Sequence, residues 1–180
     1  NVYSNWFRNK IEGMWSNDQT ELHYINIGKS RLAGVETMCK IQINRHINVH
    51  GAYNYLYTSK DADGVRLSSS SPHSGNIRAE YNTRIPRYAT VVNLSGNIMG
   101  KKKFDVLDEL EIDGKKVEAY YQAKVNPYCL WDLTVSQYIM QNLRITAGIT
   151  NLFDYTSDRV TFNTSTSPGR NYFIACNYTL

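Results

Sequence analysis

Cysteine, histidine and carboxylate side chains are the groups in this sequence that could bind a metal or activate a nucleophile. The three cysteines, Cys39, Cys129 and Cys176, lie far apart and lack the short spacing of metal ligands. His46 and His50 are four residues apart, a spacing that converges on a helix but not on a strand and a turn. We therefore predict no metal site and no cofactor.

The densest group of carboxylates lies between residues 105 and 113, with lysines on both sides of it. A charged segment that ends on the turn-forming pair Asp113-Gly114 is typical of a solvated hairpin tip. The alternative is a loop that closes over a ligand. Serines at positions 69–71, 165 and 167 have no histidine nearby in a catalytic pattern. We therefore predict that the protein is not an enzyme.

Composition narrows the class of protein. The net charge of +4 is mixed in sign and forms no basic stripe, so a nucleic-acid partner is not expected. The 180 residues contain no run of eighteen apolar residues, which excludes a membrane-spanning helix. Fourteen Tyr and three Trp against five Phe favour a membrane-water interface, where a ring with a polar tip suits both environments.

Hydrophobic and polar residues alternate with period two along most of the chain, and this predicts an all-β fold. The pattern gives eight strands, at about 2–10, 21–43, 47–59, 72–83, 87–100, 119–139, 143–153 and 170–180. Three connections are short, and they alternate with long loops at 11–20, 60–70, 101–118 and 154–169. Loops sorted in this way are typical of an antiparallel up-and-down transmembrane β-barrel.

The strand residues of opposite parity differ in polarity. One parity is apolar and includes the three cysteines, and we expect it to contact the lipid bilayer. The other carries charges that we expect to line an aqueous or plug-contacting interior: Glu36, Lys40, Arg78, Glu80, Asp132 and Arg144. For any single strand, the solvated outer face of a soluble sheet would give the same pattern. The length of the strands favours the interior wall.

The alternating pattern of the final segment predicts a strand with one continuous apolar face. That face consists of Tyr172, Ile174, Cys176, Tyr178 and Leu180. As the edge of a soluble sheet it would promote aggregation, whereas in a closed barrel it would form a seam.

Motifs near the carboxyl end follow one another in a specific order: Asn151-Leu152-Phe153-Asp154, then Pro168-Gly169-Arg170, then the terminal strand. This order resembles the carboxyl end of TonB-dependent outer-membrane receptors. Upstream, residues 26–36 resemble a long descending strand of the family, and residues 71–77 resemble a later one. The resemblance covers essentially the whole chain.

The resemblance implies that residues 1–180 form the last eight strands of a larger barrel of about 22 strands. The plug domain, the earlier strands and the segment that engages TonB would lie outside this chain. The implied function is TonB-powered import of an iron-siderophore complex, haem or cobalamin across the outer membrane of a Gram-negative bacterium. The terminal strand would serve as the assembly signal, in which family members typically end on Phe whereas this chain ends on Leu180.

Two other readings remain open at this point. The eight strands could close alone into a small outer-membrane barrel that acts as a structural or adhesin module, since eight is an even and geometrically sufficient number. The chain could also be a soluble β-sandwich, although the strand lengths and the sorting of the loops disfavour it.

Overall fold

The computed structural model describes residues 1–15, 21–59, 71–112, 115–140, 142–157 and 168–179. Ten strands occur in this part of the chain, and every pairing between them is antiparallel. They are β1 (Val2–Trp15), β2 (Leu22–Gln42), β3 (Ile47–Thr58), β4 (His73–Asn82), β5 (Thr90–Met99), β6 (Lys102–Ile112), β7 (Lys115–Val125), β8 (Tyr128–Ile139), β9 (Leu143–Thr150) and β10 (Asn171–Tyr178). No helix able to cross a membrane occurs among the described residues.

Eight strands form one sheet in the order β1-β2-β3-β4-β5-β8-β9-β10. Neighbours in the sheet are neighbours in sequence except where β5 pairs with β8, so this is an up-and-down meander, as predicted. β1 and β10 are the two edges and do not pair with each other. The sheet is therefore open, which goes against the alternative of a self-contained eight-stranded barrel.

The connections differ between the two ends of the sheet. Residues 43–46, 83–89 and 140–142 join strands at one end, while 16–21, 59–72, 151–170 and the segment 100–127, which contains β6 and β7, join them at the other. The longest connections all lie at the second end, although 16–21 is no longer than 83–89. Turn chemistry supports the short links, because the Asn44 side chain accepts hydrogen bonds from the amides of His46 and Ile47. Residues 60–70 and 158–167, which belong to two of the long links, lie outside the described residues.

The prediction of one strand over 119–139 and of a loop over 101–118 was wrong. β6 and β7 pair over their whole length as a separate hairpin, from Lys102 opposite Val125 to Ile112 opposite Lys115. The chain then breaks at Asn126 and Pro127 before β8 rejoins the main sheet. Proline lacks an amide hydrogen and restricts the residue before it, so the ladder cannot continue through this pair. Asp113 and Gly114, the predicted tip, lie outside the described residues.

The predicted ends of two strands also needed correction. β1 continues to Trp15 rather than ending near residue 10, because β2 extends far enough to pair with it through Leu22. β9 ends at Thr150 rather than at 153, because Asn151 adopts a left-handed backbone with φ 52°. Leu180 lies outside the described residues.

The main sheet is a single layer without a conventional core. Val125, at the base of the hairpin, is the one buried hydrophobic side chain among the residues whose burial the structure describes. Burial there also lowers the pKa of Lys102, its partner in the ladder. Large apolar side chains elsewhere are exposed, among them Ile41 at 53% and Ile174 at 79%. An extended apolar face of this kind needs a covering environment.

Candidate functional site: the polar face of the sheet

The strand register brings the predicted interior residues to one face. Lys40 pairs with His50, His50 pairs with Arg78, Arg78 pairs with Ser95, and Ser95 pairs with Asp132. Directly paired residues of a sheet project to the same side. One polar row therefore crosses five strands, and we call the surface to which it belongs the polar face.

The remaining three predicted residues lie on the polar face as well. Glu36 pairs with Asn54, Glu80 pairs with Asn93, and Arg144 pairs with Tyr138. The Arg144 guanidinium lies 5.9 Å from the centre of the Tyr138 ring, within the range of a cation–π contact. Glu36, Lys40, Arg78 and Arg144 are exposed, whereas Glu80 and Asp132 are half-buried.

Arg78 is the centre of a small network on this face. Its Nη2 donates to Asn93 Oδ1 at 2.9 Å, and its Nε donates to the same oxygen at 3.2 Å. The Nη2 atom also lies 3.4 Å from Glu80 Oε2. Since more than half of the Arg78 side chain is exposed, this pair contributes little stability and leaves the guanidinium accessible.

Asp132 performs a different task from the other charged residues. Its Oδ1 atom accepts a hydrogen bond of 2.9 Å from the backbone amide of Asn151, where the chain leaves β9. The carboxylate therefore ties β8 to the start of a turn. Sequence parity placed Asp132 on the polar face, but it gave no indication of this contact.

The residues of the Asn151-Leu152-Phe153-Asp154 motif form that turn, and Asn151 is its hub. The Asn151 side chain is buried at 4% exposure, and its Oδ1 accepts from the amide of Tyr155 at 2.8 Å. Its Nδ2 donates to the carbonyl of Tyr155 at 2.7 Å and to that of Pro168 at 3.3 Å. One amide thereby joins both ends of the segment 155–168.

A second contact closes the same loop root. Asp154, with φ 55°, accepts a hydrogen bond from the amide of Arg170 at 2.7 Å. Gly169 lies against it, because a Cβ at this position would be 3.0 Å from Asp154 Oδ1. Leu152 donates its amide to the Trp131 carbonyl at 2.6 Å, while the Phe153 side chain is exposed. The motif residues quoted from the sequence thus mainly fasten the long loop to the sheet.

The opposite face of the same strands is uncharged between the level of Ala33 and that of Ile43 on β2. Ile41, Val49, Ala79, Leu94, Leu133, Ile149 and Tyr172 form one continuous row across it. The predicted terminal set lies on this apolar face, since Ile174, Cys176 and Tyr178 pair with Ala147, Ile145 and Leu143. All three cysteines are free and lie on this face too.

Close pairing of an aromatic ring with a glycine occurs on both faces and was missed from the sequence. Phe173 lies over Gly148 on the polar face, so that a Cβ on Gly148 would overlap the ring. Trp131 lies over Gly96 in the same way on the apolar face. Such pairs cover exposed backbone and fix the register. A glycine opposite an aromatic residue is a usable sequence signal only once the register is known.

No group of three or more metal-ligating side chains comes together within the described ranges. His46 lies in the turn after β2, as expected, with its Nδ1 2.8 Å from the Asn82 carbonyl oxygen. The candidate site is therefore a polar wall with a fastened loop root, and it offers hydrogen bonds and charges.

Comparison with known proteins agrees with this architecture. Residues 1–152 match the family described as TonB dependent receptor-like, beta-barrel. The fold is shared with the siderophore receptor PirA from Acinetobacter baumannii at 17% identity and a TM-score of 0.70, covering 98% of this chain and 28% of that one.

Two receptors from Pseudomonas aeruginosa share the fold as well. One is the ferripyoverdine receptor bound to ferripyoverdine, at 17% identity and a TM-score of 0.70, covering 98% of this chain and 24% of that one. The other is a variant of the ferric enterobactin receptor, at 18% identity and a TM-score of 0.66, covering 98% and 28%. The present chain thus spans about a quarter of the length of these solved structures.

Proposed function

The chain belongs to the TonB dependent receptor-like β-barrel family, and from this premise we propose that it is part of an outer-membrane importer of an iron-siderophore complex. One observation carries the proposal: one face of the sheet has an uncharged central band, and the other face is crossed by a charged row. A wide barrel with lipid outside and a wet, plugged interior requires this division. The process is transport and involves no chemical reaction.

The polar face would contact water and a plug domain contributed by the rest of the receptor. Arg78 and Arg144 keep exposed guanidinium groups there, Arg78 beside the acceptors Glu80 and Asn93 and Arg144 beside the Tyr138 ring. A plug that must move during transport is suited by polar contacts that water can replace. The bilayer would cover the apolar face, and TonB would act through the receptor's N-terminal region.

The proposed ligand class is supported by the structures that share the fold, which include receptors for ferric enterobactin and ferripyoverdine. The long connections, which leave the sheet at the end opposite the tight turns, would face the exterior and capture the ligand. Haem and cobalamin are the other ligands to compare.

Growth under iron limitation tests the proposal. Cells without other iron receptors would express the intact receptor and receive iron as ferric enterobactin, ferripyoverdine or haem. We expect one of the two siderophore complexes to restore growth, and deletion of TonB to abolish the restoration. Restoration by haem alone, or import of cobalamin alone, would contradict the siderophore assignment. Import of none of these would contradict the transport function.

A further inference from the structure

The apolar face becomes positively charged at the outer part of β1 and β2. Within the uncharged band the rows pair Val2 with Val35 and Ser4 with Ala33. The next rows on the same side pair Trp6 with Arg31, and Arg8 with Lys29. Three cations therefore stand just beyond the band, at the end of the sheet where the long connections leave it. Their position is outside the polar face and outside the proposed ligand path.

The position of these cations along the strands can be compared with the thickness of a membrane. Residues 33–43 extend about 33 Å along β2 at about 3.3 Å per residue. A strand tilt of 35–45°, typical of outer-membrane barrels, reduces this to about 25 Å along the membrane normal, which matches the apolar band of such barrels. Arg31, Lys29 and Arg8 would then lie at the level of the lipid headgroups.

Aromatic and hydroxyl contacts hold the first of these cations in place. The Arg31 guanidinium lies 4.8 Å from the centre of the exposed Trp6 ring, and its Nε donates to Ser4 Oγ at 3.0 Å. A guanidinium stacked on an interfacial ring is oriented before it meets a ligand. Lys29 and Arg8 are exposed one row further out.

A groove continues from Arg31 toward the centre of the band. It has a volume of about 460 Å³, and its lining on this face includes Ser4, Arg31, Ala33, Val35, Tyr55 and Tyr57. Its far part is apolar, while its outer end carries the cation. The charge and polarity of the groove therefore match an amphipathic anion whose tail lies toward the middle of the membrane.

We propose that this groove and the cations Arg8, Lys29 and Arg31 bind a phosphorylated lipid of the outer leaflet. An acyl chain lies in the groove against Val35 and Tyr55, and the phosphate contacts the cations through charge-assisted hydrogen bonds. The inference rests on the membrane orientation given by the proposed function. It adds a lipid site on the outside of the barrel, which is separate from the path of the imported ligand.

Lipid binding by the intact receptor tests the inference. The receptor would be purified in mild detergent, stripped of lipid and titrated with lipid A, with bound lipid counted by native mass spectrometry. Replacing the three cations together, as Arg8→Gln, Lys29→Gln and Arg31→Gln, is expected to weaken binding by on the order of 100-fold. Lipid A without its phosphates is expected to bind the unaltered receptor about as weakly.

A matched control removes the same charge elsewhere. Lys101, Lys103 and Lys124 are exposed at the base of the β6–β7 hairpin, and their replacement by Gln is expected to leave lipid binding unchanged. Equal binding by the Arg8, Lys29 and Arg31 variant and the unaltered receptor would overturn the inference. Competition by millimolar inorganic phosphate would overturn the assignment to a lipid.

Two further measurements keep the result interpretable. Heat-dependent mobility in gels reports whether each variant forms a barrel, and the single Lys29→Gln variant, expected to bind several-fold more weakly, serves if the triple variant does not assemble. Binding is measured without siderophore. A receptor that binds lipid A but imports no iron complex would therefore contradict the proposed function and leave the lipid site standing.

Discussion

The two faces of the eight-stranded sheet are built by the same strands and differ at every alternate residue. On β5, Leu94 belongs to the apolar row with Ala79 and Leu133, whereas Ser95 belongs to the charged row with Arg78. Adjacent residues therefore meet different environments although they are one peptide bond apart. A single-layer sheet can support this only when each side has its own solvent.

This difference explains how the sheet can be stable without a buried core. The exposed apolar side chains would be an aggregation hazard in water, but they become lipid contacts in a membrane. The polar face needs water or a polar partner, because its charged groups would be costly to bury without one. Stability is then shared between the hydrogen-bonded ladders and the surroundings, and a substitution should act mainly through the face on which it lies.

The largest expected effect comes from placing a charge on the apolar face of β5. Leu94→Arg places a charge on the apolar face near the middle of the strand and is expected to cost about 2–4 kcal/mol, enough to impair assembly. The matched variant Ser95→Arg places the same residue on the polar face beside Asp132, and assembly should be nearly unchanged. The amount of heat-resistant folded barrel in outer membranes measures both. An equal loss of folded barrel in the two variants would contradict the distinction between the faces.

The alternation of the strands could be predicted because it repeats over many residues and each parity has one environment. Glu36, Lys40 and Arg78 were assigned to their common face on this basis, before the register was known. A hairpin tip was expected at Asp113-Gly114, but the strands β6 and β7 escaped prediction because alternation alone does not identify the partner strand. Only the break at Pro127 signals the change of partner.

The Asn151 turn could not be predicted for another reason. Its left-handed backbone and its buried amide depend on Tyr155 and Pro168, which are brought together only by the folded loop. Asparagine tolerates this conformation, but it does so at many positions. The motif was recognisable as a family resemblance, while its role in fastening the loop depends on contacts that only the folded structure shows.

Removal of the Asn151 side chain, at the root of the long loop after β9, should have an intermediate effect. Asn151→Ala leaves the part-buried amide and carbonyl of Tyr155 without their side-chain partner and is expected to cost about 1–3 kcal/mol. The consequence should be faster hydrogen exchange at Tyr155 and Arg170, without loss of the β8–β9 ladder. Asn97→Ala, an exposed residue of the polar face, is the control. Unchanged exchange at Tyr155 in Asn151→Ala would show that Asn151 does not fasten the loop.

The smallest effect is expected on the polar face itself. Arg78→Gln removes an exposed ion pair with Glu80, so the free energy of unfolding should fall by less than about 1 kcal/mol. Thermal unfolding of the purified receptor measures this change. A loss as large as that of Leu94→Arg would mean that the polar face is packed as tightly as a protein core, and the comparison between the faces would need revision.

A spin-label scan along β5 tests the two-faced sheet most directly. Single cysteines at residues 91–98, in a receptor whose native cysteines are replaced, would carry a label in membranes. Collision with oxygen reports lipid, and collision with a water-soluble nickel complex reports water. We predict a period of two, with oxygen preferred at positions 92, 94, 96 and 98 and nickel at the positions between them. The same environment at adjacent positions, such as 94 and 95, would contradict the assignment of one face to lipid and the other to a wet interior.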